Sequence, residues 1–202
     1  MCALNAFVPG YRYWKLSVPA RSAYILPAHG ERYAPSEASD YDKTSACLMQ
    51  GKKIMDLNER LAAIEEIKAL KARYFRCMDE KDWPGLQAVF APDVVCDFRD
   101  STGTRNESLL THGAALYVKN LAPILQNIVT THHGHTPEIE ITSPTTAKGI
   151  WAMEDLLWVQ EGAPVPYKTM RGFGHYHETY EKIDGAWVIK TTRLSRLRVE
   201  VT

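Results

Sequence analysis

Two hydrophobic periods meet in this chain, and their order constrains the fold more than any other feature. From Asp56 onward, Leu57, Leu61, Ile64, Ile67, Leu70, Tyr74 and Met78 recur every three or four residues, the spacing of one helix face. Asp56 followed by Glu59 is a capping-box start, and Trp83-Pro84-Gly85 ends the helix after about Lys81. Glu65, Glu66, Lys68 and Lys71 are read as lying off the stripe, on a charged opposite face. A second helix is predicted over Leu86–Phe90, a strand over Val94–Phe98 and a third helix over His112–Leu125, with Pro123 near its end. Beyond it, apolar residues alternate. Strands are predicted over Ile128–His133, Glu138–Ser143, Thr146–Val159, Lys168–Lys182 and Ala186–Glu200, with Asp184-Gly185 as a hairpin turn. Helices followed by strands predict an α+β domain, a curved antiparallel sheet packed with N-terminal helices into a cone around an internal pocket.

That domain is assigned to residues 55–202. Residues 1–54 carry four prolines, five tyrosines and Trp14 with no sustained period. They are read as an irregular extension, disordered or docked on the surface, or as a leader added upstream of Met55. Lys plus Arg equals Asp plus Glu, 24 each, so no global field favours nucleic acid or an anionic membrane. Cys2, Cys47, Cys77 and Cys96 form no C-x-x-C pair, which suits reduced thiols and a cytoplasmic location. No apolar run approaches the roughly 18 residues of a membrane span, and the N-terminus lacks the basic region of a secretory signal.

Several polar residues fall where the pattern expects core. Alternation in Gly149–Asp155 places Trp151, Met153 and Asp155 on one face; Asp155 is then either a strand-edge acid or a pocket group. Tyr74 lies on the helix stripe, and Asp79 near the helix end can lean toward the same cavity. The string "HHGHTPEI" holds His132, His133 and His135, and "GHYH" holds His175 and His177. No H-E-x-x-H motif, cysteine pair or facial-triad spacing accompanies them, so no metal is predicted. Neighbours on a strand face opposite ways, so only one of His132 and His133 enters a pocket. Pattern alone leaves that histidine open between catalytic and structural roles.

Three stretches, "IEEIKALKARYFRCMDEKDW" (64–83), "HHGHTPEIEITSPTTAKGIWAMEDLL" (132–157) and "YEKIDGAWVIKTTRLSRL" (180–197), carry a family likeness. They resemble the SnoaL-like group of the cone-shaped superfamily that includes nuclear transport factor 2, scytalone dehydratase and ketosteroid isomerase. The nearest likeness is to bile acid 7α-dehydratases, over about residues 56–200. The resemblance implies Tyr74, Asp79, His132, Asp155 and Arg196 as catalytic residues, with His133 on the far side of its strand and His135 in the turn. Trp151, Met153, His175 and His177 are candidates for the substrate pocket. Simple alternation sets Arg196 with Leu194, and its inward direction rests on the resemblance alone.

The implied activity is cofactor-independent elimination of water from a steroid-like or polycyclic hydroxy-ketone. In that reading His132 shuttles the proton and Asp155 fixes its tautomer. Tyr74 donates to the developing oxyanion or the leaving hydroxyl, Asp79 holds Tyr74 or a water, and Arg196 balances the buried acids. The alternatives are a ketone isomerase or cyclase of the same fold, or a non-catalytic small-molecule-binding protein. Related dehydratases imply a homo-oligomer, a trimer ahead of a dimer, through the face of the last strand bearing Trp187, Ile189, Leu197 and Val199. Leu156, the 162–168 loop and the 172–177 segment depart from the dehydratase pattern, so substrate identity does not transfer.

Overall fold

Asp56 caps the first helix as its spacing predicts: its carboxylate accepts from the Glu59 amide at 2.8 Å, and Glu59 Oε2 accepts from the Asp56 amide at 3.1 Å. The computed structural model describes residues 55–202; the reading of residues 1–54 as an extension lies outside them. Helix α1 spans Leu57–Glu80 and ends at Lys81, whose left-handed φ of 62° turns the chain. Asp82 then caps α2 (Trp83–Ala88), accepting from the Gly85 amide at 3.0 Å, with Pro84 in the first turn where its missing N–H costs nothing.

The remaining order is β1 (Phe90–Asp97), a 3₁₀ turn (Glu107–Leu109), β2 (Leu110–His112), α3 (Ala114–Leu125), β3 (Ile128–Gly134), β4 (Glu138–Ser143), β5 (Thr146–Val159), β6 (Thr169–Ile183) and β7 (Ala186–Val201). They form one curved, unclosed sheet in the order β2-β1-β7-β6-β5-β3, with β4 also paired to β5. Every pairing is antiparallel except that of β1 with β7, which is parallel. The hairpin turn forms as predicted: Asp184 and Gly185 take φ of 49° and 83°, the two positive values a type I′ turn requires.

Two register shifts set which side chains of β7 face inward. The β6–β7 pairing slips between Thr179 and Tyr180 and again between Phe173 and Gly174. The first slip opposes Lys190 to no residue, so the buried phase passes from Trp187 and Ile189 to Thr192 and Leu194. The second leaves Leu197 unpaired and 75% exposed. Such bulges bend a strand and re-aim its side chains. They also divide the face expected for assembly: Trp187 and Ile189 are core, while Leu197 is on the surface.

Helix α1 buries Ala63, Ile67, Leu70, Tyr74, Phe75, Cys77 and Met78 against the sheet. The predicted stripe fails at both flanks. Leu57 and Leu61 are exposed, whereas Lys71, expected on the charged face, is fully buried. Its position follows from the helix itself, since Lys71 lies four residues after Ile67 and three before Tyr74, on the same face.

Candidate active site

The inner face of the sheet is read off β5 and β6. On β5 the buried phase is Ala147, Gly149, Trp151, Met153, Asp155 and Leu157, as alternation from Trp151 predicts. On β6 it is Met170, Gly172, Gly174, Tyr176, Glu178 and Tyr180. His175 and His177 occupy the opposite phase, so they do not join the inner group. His177 instead lines an outer cleft of about 760 Å³ with Glu138, Ile150 and Arg193, and its Nε2 contacts Ser195 Oγ at 2.9 Å. The reason is strand phase: in G-H-Y-H-E-T-Y both phases carry aromatic and polar residues, so composition does not choose between them.

His132 pairs directly with Asp155 across β3 and β5, which places both on one sheet face. His133, next along, is exposed, and His135 lies just past β3, its amide donating to the Ala152 carbonyl at 2.8 Å. The partner of His132 is Asp79, not Asp155. Nδ1 of His132 stands 2.6 Å from Asp79 Oδ1, and the His132 amide donates to Oδ2 at 2.9 Å. Thr130 Oγ1 donates to Asp79 Oδ1 at 2.8 Å and accepts from Lys81 Nζ at 2.9 Å. The turn at Lys81 thus brings the end of α1 and β3 into one hydrogen-bonded unit.

Burial alone would raise the Asp79 carboxyl, but the hydrogen bonds and charge of His132, with Thr130, hold it below the ordinary range. A carboxylate on Nδ1 fixes one tautomer, leaving Nε2 as the basic nitrogen. The His132 ring lies parallel to Phe75, 6.2 Å between centroids, which restricts its tilt.

Asp155 is taken by Arg196. The guanidinium donates to both carboxylate oxygens, at 3.0 and 2.6 Å, and through Nε to the Ser101 carbonyl at 2.7 Å. Gly172, opposite Asp155 on β6, makes the approach possible: a Cβ there would stand 2.3 Å from Asp155 Oδ1 and 2.4 Å from Arg196 Nη1. Arg196 therefore does point inward, on the bulged strand.

Two further clusters complete the interior. Tyr74 is fully buried, its hydroxyl making no hydrogen bond of ordinary geometry, and the hydroxyls of Tyr117 and Tyr176 stand close enough to perturb it. Burial, followed by these neighbours, pushes the Tyr74 hydroxyl well up. Behind them Lys71 Nζ lies 2.6 Å from Glu178 Oε1. Thr192 donates to Glu178 at 3.0 Å and Tyr180 at 2.6 Å, and Tyr180 accepts from Trp151 Nε1 at 2.8 Å. Trp151 is thus an inward wall residue, as is Met153, whose sulfur lies 3.3 Å from Arg196 Nη1. Lys71, Glu178, Tyr117 and Tyr176 were not anticipated; the helix-face spacing of Lys71 was the available signal.

Among the described residues no three His, Cys, Asp or Glu side chains converge as a metal site, and no helix is long and apolar enough to cross a membrane.

A curved sheet covered by helices on one face, with acid/base side chains projecting into the covered side, defines a cone-type domain for small molecules. The chain belongs to the SnoaL-like domain family, whose model matches residues 59–193. A Gibberella zeae protein provisionally named cyclase FGR4 is 28% identical over 151 residues, covering 71% of this chain and 95% of that one. Among solved structures, a protein provisionally assigned as a scytalone dehydratase from Novosphingobium aromaticivorans DSM 12444 superposes with TM-score 0.63 at 20% identity, covering 73% of this chain and 92% of its own. A hexachlorocyclohexane dehydrochlorinase, LinA type 2, superposes with TM-score 0.61 at 19% identity over 73% and 93%. These structural likenesses establish the shared fold.

Proposed function

We propose that the protein is a cofactor-independent dehydratase acting on a steroid-like or polycyclic hydroxy-ketone, with His132 as the acid/base group. The observation that carries this reading is the His132–Asp79 contact of 2.6 Å on the inward face, directly across the strand pair from the buried Asp155–Arg196 ion pair. In the neutral ring with Nδ1–H donated to Asp79, Nε2 removes a proton from a carbon acidified by a conjugated carbonyl. The C–H pair becomes a new C=C bond as the C–O bond breaks, and the imidazolium returns its proton to the departing hydroxide as water.

Asp79 thereby takes the tautomer-fixing task expected of Asp155. Asp155 and Arg196 form a fixed, charge-balanced wall, and Tyr74 supplies a donor for the carbonyl oxygen. Support from outside the site is chemical: a dehydratase and a dehydrochlorinase, both named among the structural neighbours, each remove HX across a carbon–carbon bond. That task needs one positioned base and a means of releasing the leaving group. The likeness of 64–83, 132–157 and 180–197 to bile acid 7α-dehydratases favours the steroid-like class.

A second reading, a cyclase acting on a ketone, is favoured by the FGR4 likeness; it uses the same base on a carbon nucleophile. Incubation with a panel of hydroxy-ketosteroids and polyketide-like alcohols separates the two. Growth of conjugated-enone absorbance with loss of 18 mass units, abolished in His132→Ala, is the expected result. A product of unchanged mass supports isomerisation or cyclisation instead, and no turnover of any member contradicts the dehydratase.

A further inference from the structure

Lys81 stands where helices that end in a left-handed residue usually place glycine. It follows α1 with φ 62° and ψ 28°, a conformation that glycine adopts freely and a residue with a Cβ does not. Among the described residues the other non-glycine with positive φ is Asp184, whose short polar side chain suits that region; a lysine has no such preference. Strain of this kind persists where the surroundings over-determine it. Here the side chain supplies the reason. The half-buried Lys81 ammonium reaches across to β3, donating to Thr130 Oγ1 at 2.9 Å and to the Met78 carbonyl at 3.3 Å. Thr130 is buried on the inward phase of β3, shared with Ile128 and His132. An ammonium only donates, and a hydroxyl has a single proton. Lys81 therefore makes Thr130 Oγ1 an acceptor and leaves its proton for Asp79 Oδ1, 2.8 Å away. The carboxylate is then gripped on both oxygens from one strand, by the Thr130 hydroxyl on Oδ1 and by the His132 amide on Oδ2 at 2.9 Å. These two points fix its plane and aim Oδ1 at the ring Nδ1, 2.6 Å away.

We propose that Lys81 is a positioning residue for His132: through Thr130 it locks the Asp79 carboxylate in the orientation that receives Nδ1–H, leaving Nε2 as the free nitrogen of the ring. Without the ammonium, the Thr130 hydroxyl is free to rotate toward a backbone carbonyl, the alternative open to any threonine. One grip on Asp79 is then lost, and the ring can exchange tautomers. A plainer role for Lys81 is to satisfy the last turn of α1 through the Met78 carbonyl, with its charge at the negative end of the helix. The two roles part at glycine. A cap is served by glycine, whose backbone suits the position better; a positioning ammonium is not. The catalytic consequence rests on the dehydratase reading, whereas the state of the ring is testable alone.

The test is Lys81→Gly in the full-length protein, read by nitrogen-15 NMR of the histidine rings at about pH 8.5, where an ordinary imidazole is neutral. Wild type should show one slowly exchanging, downfield Nδ1–H proton, assigned to His132 by its loss in His132→Ala. Lys81→Gly is expected to keep a cooperative melt, because glycine relieves the left-handed strain. Its Nδ1–H resonance should broaden or vanish, and the two ring nitrogens should move toward the averaged shifts of a tautomer mixture. Thr130→Val should have the same effect. Lys81→Arg and Thr130→Ser, which keep the cationic donor and the hydroxyl, should retain most of the signal. Where turnover is measured, Lys81→Gly should lower kcat roughly tenfold with KM little changed. A folded Lys81→Gly whose His132 keeps the wild-type resonance and a single tautomer overturns the proposal. A wild-type ring already mixed between tautomers does so too. If Lys81→Gly does not fold, Thr130→Val decides, and an unchanged ring in that variant overturns it. Loss of the resonance in these variants, with no hydroxy-ketone turned over by wild type, would sink the function and leave the positioning role standing.

Discussion

At the scale of residues, the Asp79 carboxylate is the hinge of the site because one short side chain serves the backbone and ring of His132 and the hydroxyl of Thr130. These donors hold its folded pKa below the ordinary value despite burial. A carboxylate depressed on folding stabilises the protein above its unfolded pKa, about 3.9. That contribution is lost as pH falls through the folded value. Thermal melts between about pH 6 and pH 2.5 should therefore show wild type losing more stability on acidification than Asp79→Asn. Parallel curves would mean that Asp79 contributes nothing through its charge. Asp79→Asn should also lower turnover by roughly 10–10³-fold, because an amide presents either an oxygen or an N–H to Nδ1 and no longer stabilises the imidazolium.

At the scale of elements, the fold was largely legible and the exceptions have physical causes. The boundaries of β4 and β5 follow directly from alternation, and α1 from its cap and stripe. The inward phase of β5 followed from Trp151, Met153 and Asp155. What alternation does not contain is a bulge. The slips opposite Lys190 and Leu197 are decided by pairing with β6, so the direction of Arg196 and the outward direction of Trp187's expected partner Leu197 could not be read from β7 alone. The burial of Lys71 is invisible in the helix alone because its partner Glu178 is 107 residues away. A lysine beside acidic residues on a helix looks solvated until the strand that neutralises it is in place. The phase of His175 and His177 is hidden for a similar reason, since β6 is anchored by pairing on both sides rather than by a one-sided pattern.

Gly172 gives this scale a direct test. A methyl group there meets both members of the Asp155–Arg196 pair at under 2.5 Å, and moving either side chain aside strains the two hydrogen bonds that join them. Gly172→Ala should cost about 2–4 kcal/mol in urea unfolding, toward the lower part of the penalty for disrupting a buried ion pair. Gly185→Ala provides a contrast, because nothing lies within 4 Å of its Cβ and only its φ of 83° is strained; it should cost about 1–2 kcal/mol. Equal losses at the two sites would mean that close approach at Gly172 has no particular weight.

At the scale of the whole molecule, helices cover one face of the sheet and the other carries Val129, Ile150 and Trp158 at least partly exposed. We expect a homo-oligomer, a trimer ahead of a dimer, with Leu197 rather than Trp187 or Ile189 available to a neighbour. Light scattering at micromolar concentration should give about three chain masses; a stable single-chain mass would remove the expectation. Exhaustive chelation should leave turnover intact, since the proposed steps use only side-chain acids and bases, and recovery of lost activity by added zinc would overturn that chemistry.

In the proposed reaction His132, oriented by Asp79, moves the proton. Adjacent histidines on one strand test it most directly, because they share sequence context and differ in the face they occupy. Steady-state enone formation should fall roughly 10²–10⁴-fold in His132→Ala while the variant keeps a cooperative melt, and remain within about twofold of wild type in His133→Ala. Equal losses in the two variants, or full activity in His132→Ala, would contradict the account.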